Sequence, residues 1–135
     1  MTIWSKRDME VAGDVLTQWQ VNHRGSPLRS VPYADAQEAR CHENAAAYVC
    51  NHGGTLVPGF LVEHIVGANW IYVRAHSVVR RNGELIDPTL STQQLKAQAF
   101  IEYSGSTEEF LRNARQWAEL RCSVMWLGDV SGANS

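Results

Sequence analysis

Ala75-His76-Ser77-Val78-Val79-Arg80-Arg81-Asn82-Gly83-Glu84-Leu85-Ile86-Asp87-Pro88-Thr89 places an Asn-Gly pair between two apolar runs. That pairing is the strongest short-range signal for a two-residue β-hairpin. With Asn82 and Gly83 at the tip, Arg81 faces Glu84, Val79 faces Ile86, Val78 faces Asp87 and His76 faces Thr89. His76 and Asp87 then stand diagonally opposite on one face of the ribbon. Such neighbours lie roughly 7–8 Å apart at the backbone, within reach of an imidazole and a carboxylate. The register alone therefore predicts a carboxylate placed to orient a histidine.

Outward from the hairpin, residues 55–65, 70–81 and 84–89 read as three strands of a meander, with Val66-Gly67-Ala68-Asn69 as the first turn. The middle strand alternates Trp70, Tyr72, Arg74, His76 and Val78 with the drier set Ile71, Val73, Ala75, Ser77 and Val79. A mixed aromatic and polar face suits the floor of a substrate groove, with Trp70 and Tyr72 as candidate lining residues. Upstream, Cys41, Ala45, Tyr48, Val49 and His52 trace one face of a helix that Gly53-Gly54 terminates. Ser5 caps a helix to about Gln20 with a stripe of Met9, Ala12, Val15, Leu16 and Trp19. A loop runs from Asn22 to about Tyr33, and Ala34 to Arg40 forms a helical turn. Thr92 to about Tyr103 reads as helix, and Ser106-Thr107-Glu108-Glu109 is a capping box opening a helix to about Leu120. Cys122 to Leu127 reads as a strand and Gly128 to Ser135 as a tail. With no repeat or linker, residues 1–135 read as one α+β domain.

A thiol at a helix N-terminus meets unpaired N–H groups and a partial positive charge, which favour the reactive thiolate. Cys41 is so placed, and with His76 and Asp87 it completes a nucleophile, base and orienter. Asp87, next to Pro88, has a rival role as a strand-end residue satisfying backbone donors. Cys50 and Cys122 read as core thiols. His42 is set aside, because adjacent helix positions point about 100° apart. His23, His52 and His64 lack a carboxylate at suitable spacing. Asn44, one turn after Cys41, is a further candidate to line the site. A groove setting predicts that alanine at Cys41, His76 or Asp87 leaves the chain folded.

The order Cys, His, Asp, with the cysteine opening a helix and its partners on neighbouring strands, resembles the papain-like and transglutaminase-like cysteine enzymes. The matching residues are Cys41-His42-Glu43-Asn44-Ala45, Ala75-His76-Ser77-Val78 and Gly83-Glu84-Leu85-Ile86-Asp87-Pro88-Thr89, so the resemblance covers roughly residues 33–90. It implies a nucleophile helix packed on a small antiparallel sheet with flanking helices. It also implies a thioester on Cys41, no cofactor, and a protein or peptide substrate offering a glutamine or other amide. Such enzymes add an oxyanion donor from upstream, commonly a glutamine; Gln37 is the candidate and Tyr33 the alternative. The short chain favours amidase, deamidase or transglutaminase-like chemistry over a two-subdomain peptidase.

At 135 residues, 44% hydrophobic and 19% charged, the composition is that of an ordinary globular domain. A net charge of −2 argues against nucleic acid or an anionic membrane as main partner. The N-terminus lacks the apolar run of a secretory signal. Three widely spaced cysteines fit free thiols in a reducing compartment, so the expectation is cytoplasmic; an exported toxin domain without a cleavable signal would read the same. Two other readings compete: a zinc site of Cys41, His42, Cys50 and His52, and a non-catalytic interaction module presenting Trp70 and Tyr72.

Overall fold

The computed structural model describes residues 4–31, 33–37, 39–65 and 67–123. Its architecture is mixed α+β. In chain order the elements are α1 (Lys6–Val21), β1 (Arg29–Ser30), α2 (Cys41–His52), β2 (Thr55–His64), β3 (Trp70–Arg81), β4 (Glu84–Asp87), α3 (Thr92–Lys96), β5 (Ala99–Glu102), α4 (Thr107–Asn113) and β6 (Leu120–Ser123), with a 3₁₀ turn at Gln116–Glu119. The sheet runs β1-β4-β3-β2-β5, with β6 also on β3. No helix among the described residues is long and apolar enough to cross a membrane.

The hairpin forms in the predicted register, with Val79 opposite Ile86 and Arg81 opposite Glu84. Asn82 and Gly83 both take positive φ, 54° and 77°, as a type I′ turn requires. β3 is the spine of the sheet. One flank is covered by β2, from Thr55 opposite Arg80 to His64 opposite Ile71. The other flank is shared: β4 pairs with residues 79–81 and β6 with residues 70–73. Residues 74–78 have no strand on that flank among the described residues. The first turn of α2 comes to this gap, where the ring of His42 reaches Ser77.

Both faces of β3 are packed around the gap. Ala45 and Tyr48 of α2 lie with Val79 and Ile86, and Val11, Leu16 and Trp19 of α1 lie with Ile71 and Val73. On the opposite face Val57, Leu61, Val78, Leu85 and Phe100 form a separate cluster. Gly59 lies opposite His76, and a Cβ there would stand 2.4 Å from the ring of Phe100. The missing side chain lets Phe100 cover β2 and meet the His76 ring edge-on, 6.5 Å between centroids.

Several local expectations are corrected. Met9 is exposed, and Val11 takes its place in the buried stripe. The cause is Asp8: it completes the Ser5 capping box and accepts from Trp117 Nε1 at 2.8 Å, which turns that side of α1 inward. Among the described residues of Ala34 to Arg40 there are isolated turns and no helix. Of the helix expected from Thr92 to Tyr103, only Thr92–Lys96 forms. Ala99–Glu102 instead pairs with β2, burying Phe100 and Ile101. The helix opened by Ser106 ends at Asn113 and continues as the 3₁₀ turn. β1, parallel to β4, falls within what reads as loop. Cys122 is buried as expected, whereas Cys50 is exposed. β6 begins two residues before the predicted strand. Residues 124–127 of that strand and the tail from 128 to 135 lie outside the described residues.

Candidate active site

Cys41 is the first residue of α2, and its helix has no side-chain cap from Arg40. Its first-turn N–H groups are therefore not taken by a capping side chain. Ala39 enters the helix with φ of 61°, a left-handed conformation uncommon for a residue with a Cβ. His76 sits in the gap of β3, 4% exposed. Its Nε2 is 2.6 Å from Asp87 Oδ2, the diagonal contact implied by the hairpin register. Nδ1 is the ring nitrogen left for the thiol, with which His76 interacts.

Asp87 holds both of the roles weighed for it. While Oδ2 faces His76, Oδ1 accepts from the backbone N–H of Thr89 at 2.8 Å and of Leu90 at 3.1 Å. Its own carbonyl accepts from Val31 N–H at 2.9 Å. The residue is completely buried. The carboxylate that orients the imidazole also folds the turn after β4, whose Thr89 and Leu90 line the cleft.

Burial alone would push the Cys41 thiol up, but hydrogen bonding to His42 and His76 and their charge bring it down to about 6. Burial alone would push His76 down; Asp87 and then Cys41 outweigh it and raise the imidazole to about 9. Between these values Cys41 is a thiolate and His76 an imidazolium. The pair opens into a cleft of about 1340 Å³ bounded by α2, β3, the turn after β4, α3 and the α4 region.

The other site expectations fare differently. Asn44 is buried, and its amide clamps the backbone of Gln37 (N to Oδ1 3.0 Å, Nδ2 to O 2.8 Å) and bonds Thr89 Oγ1 at 3.0 Å. It fastens the loop before α2 to the turn after β4 and does not line the cleft. Gln37 is exposed and is not among the cleft residues. Tyr33 is engaged elsewhere, accepting from Asn51 Nδ2 at 2.8 Å and packing on Tyr48. Trp70 and Tyr72 share the face of His76 but lie about 20 and 13 Å along the strand, outside the cleft. The zinc set is not assembled. Cys41 and Cys50 lie nine helical steps apart, about 13.5 Å along the axis, and His52 packs on Tyr33 and Tyr48. Among the described residues no three His, Cys, Asp or Glu side chains form a metal cluster.

His42, set aside on helical geometry, is in the site: its Nδ1 lies 2.6 Å from Ser77 Oγ. The sequence does carry a signal for it. Ser77 is the one hydroxyl in the apolar series Ile71, Val73, Ala75, Ser77, Val79, and a buried hydroxyl needs a partner.

An ion-paired thiol has a reactive form well below neutral pH. Iodoacetamide should alkylate Cys41 with a rate that rises through about pH 6, where an ordinary thiol of pKa about 8.5 reacts slowly. Cys50, exposed, serves as the internal reference, and buried Cys122 should stay unlabelled. Peptide mapping that finds Cys41 and Cys50 labelled at equal rates near pH 6 would exclude the ion pair.

Comparisons with protein-family models, with curated proteins and with solved structures find no match to this chain.

Proposed function

We propose that this chain is a cysteine-dependent amide-bond enzyme of papain-like or transglutaminase-like type, working through a thioester on Cys41 without a cofactor. The observation that carries the reading is the buried 2.6 Å contact between His76 Nε2 and Asp87 Oδ2, with the thiol of a helix-opening cysteine on the other side of the same ring. A structural ion pair has no need to face an open cleft with a thiolate; a nucleophile does.

The chemistry follows from the protonation states. The thiolate sulfur bonds the carbonyl carbon of the amide, and the π pair moves to oxygen. As the pair returns, the C–N bond breaks and the leaving nitrogen takes the proton of the His76 imidazolium. Neutral His76 then removes a proton from water or an amine, which attacks the thioester and releases Cys41 as thiolate. The substrate is a protein or peptide presenting a glutamine or similar amide at an exposed side chain or chain end. The wide cleft suits amidase, deamidase or acyl-transfer chemistry. Free thiols at Cys41, Cys50 and Cys122 suit a reducing compartment such as the cytoplasm.

The test is intact-mass detection of an acyl adduct on Cys41 after incubation with a glutamine-containing peptide library. Turnover of any substrate so found should be bell-shaped in pH. The acidic limb near 6 reports formation of the thiolate; the basic limb near 9 reports loss of the imidazolium that protonates the leaving nitrogen. An adduct confined to Cys50, or a profile with neither limb, would refute the proposal.

A further inference from the structure

His42 is a cleft residue that this mechanism leaves without a task. Its ring packs edge-on against Phe110, 5.6 Å between centroids, and its Nδ1 is held by Ser77 Oγ at 2.6 Å. Ser77 is completely buried on the dry face of β3, inside the gap in the sheet. The ring is thus fixed from two sides, and Nε2 is the nitrogen left to turn toward the cleft that His42 and Cys41 both line. The partner at that end sets the direction of the Ser77 bond. A thiolate has no proton to give, so the nitrogen beside it has to donate. His42 then carries its proton on Nε2, and Nδ1 accepts from the Ser77 hydroxyl.

We propose that His42 is the side-chain oxyanion donor of this site, its Nε2–H acting with the backbone N–H groups of the first turn of α2. The assignment rests on the acyl-transfer reading above. His42 lines the cleft, and Gln37 does not. A donor on the residue next to Cys41, lining the same cleft, is within reach of an oxygen on the carbon that the sulfur attacks. When the thiolate adds to the carbonyl, the π pair moves onto that oxygen and meets Nε2–H. When the intermediate collapses, the pair returns and the leaving nitrogen takes its proton from His76. His42 gives up no proton in the cycle. Ser77 is a positioning residue, holding the tautomer.

Two reagents separate this role from a structural one. p-Nitrophenyl acetate acylates Cys41 through an oxyanion and expels p-nitrophenolate; iodoacetamide alkylates at a saturated carbon, with no oxyanion. At about pH 8 both meet the thiolate. His42→Phe should slow the p-nitrophenolate burst about 10²–10³-fold while changing alkylation less than ~3-fold. His42→Gln keeps an N–H donor and should recover at least ~10-fold of that loss. Two-bond ¹H–¹⁵N correlations of the ring should show the Nε2–H tautomer in the native protein and its loss in Ser77→Ala. Equal slowing with both reagents, or none, overturns the assignment and leaves Cys41 as nucleophile. A native protein that alkylates at Cys41 but never acylates overturns the acyl-transfer reading, and this assignment with it. Should His42→Phe not fold, Ser77→Ala carries the same comparison: acylation slowed at least ~10-fold relative to alkylation supports the role, and equal slowing refutes it.

Discussion

Replacing Cys41 with alanine is expected to abolish turnover while leaving the fold intact, and replacing His76 with glutamine to lower turnover nearly as far. The covalent step has no substitute thiol among the described cleft residues: Cys50 is on the exposed part of α2 and Cys122 is buried. In the proposed mechanism His76 supplies both the charge that holds the thiolate and the proton for the leaving nitrogen, so its loss should disable two steps at once. In serine-protease triads the corresponding losses are on the order of 10⁶ in kcat. Glutamine is preferred to alanine because His76 is 4% exposed and its removal would leave Asp87 Oδ2 buried without a partner, at a cost of about 1–3 kcal/mol or more. Cys41 is only half-buried, and its truncation opens into the cleft. Turnover of a substrate found by adduct formation, together with thermal melting, reads both effects. A Cys41→Ala variant retaining more than ~1% of native turnover would exclude covalent catalysis at this residue.

The part of this site that was legible in the sequence is the part written locally. Asn82-Gly83 demands positive φ at two successive residues, which sets the hairpin register. The register in turn sets the diagonal from His76 to Asp87, so the contact follows from residue order. Gly53-Gly54 similarly marks the end of α2. What was not legible depends on pairing between distant segments. Residues 97–102 lack a local breaker, yet Phe100 pairs with β2 because Gly59, some forty positions earlier, leaves room for its ring. Gln37 stands outside the cleft with its backbone clamped by Asn44, a contact between a loop and a helix that spacing does not reveal. His42 was excluded on the angle between adjacent helix positions. That argument holds for side chains pointing straight out, but the first turn of α2 stands at the gap in β3, where His42 reaches Ser77 and Cys41 shares a cleft with His76. The gap itself arises because β4 is only four residues long and β6 covers the other end of β3.

Asp87→Ala is expected to destabilise the protein by about 3–9 kcal/mol, against the groove-based expectation that all three site variants stay folded. The carboxylate is fully buried and accepts three hydrogen bonds, from His76 Nε2 and from the N–H groups of Thr89 and Leu90. Alanine leaves each donor without its partner, and an unsatisfied buried donor costs about 1–3 kcal/mol. A domain of this size has about 5–15 kcal/mol in total, so the variant is expected to be partly unfolded on warming. Asp87→Asn separates structure from catalysis. Its Oδ1 still accepts from Thr89 and Leu90, so most of the stability should return. Its amide in place of Oδ2 cannot accept from His76 Nε2–H, so the imidazole takes the wrong tautomer and loses the charge that sustains the imidazolium. In a serine triad that change costs about 10⁴ in kcat with the geometry intact. Urea denaturation should therefore rank native, Asn and Ala in falling stability, while activity drops steeply already at Asn. If Ala unfolds within ~1 kcal/mol of native, the Asp87 hydrogen bonds to Thr89 and Leu90 do not hold the turn after β4. If Asn turns over at the native rate, Asp87 serves that turn alone and His76 does not depend on it.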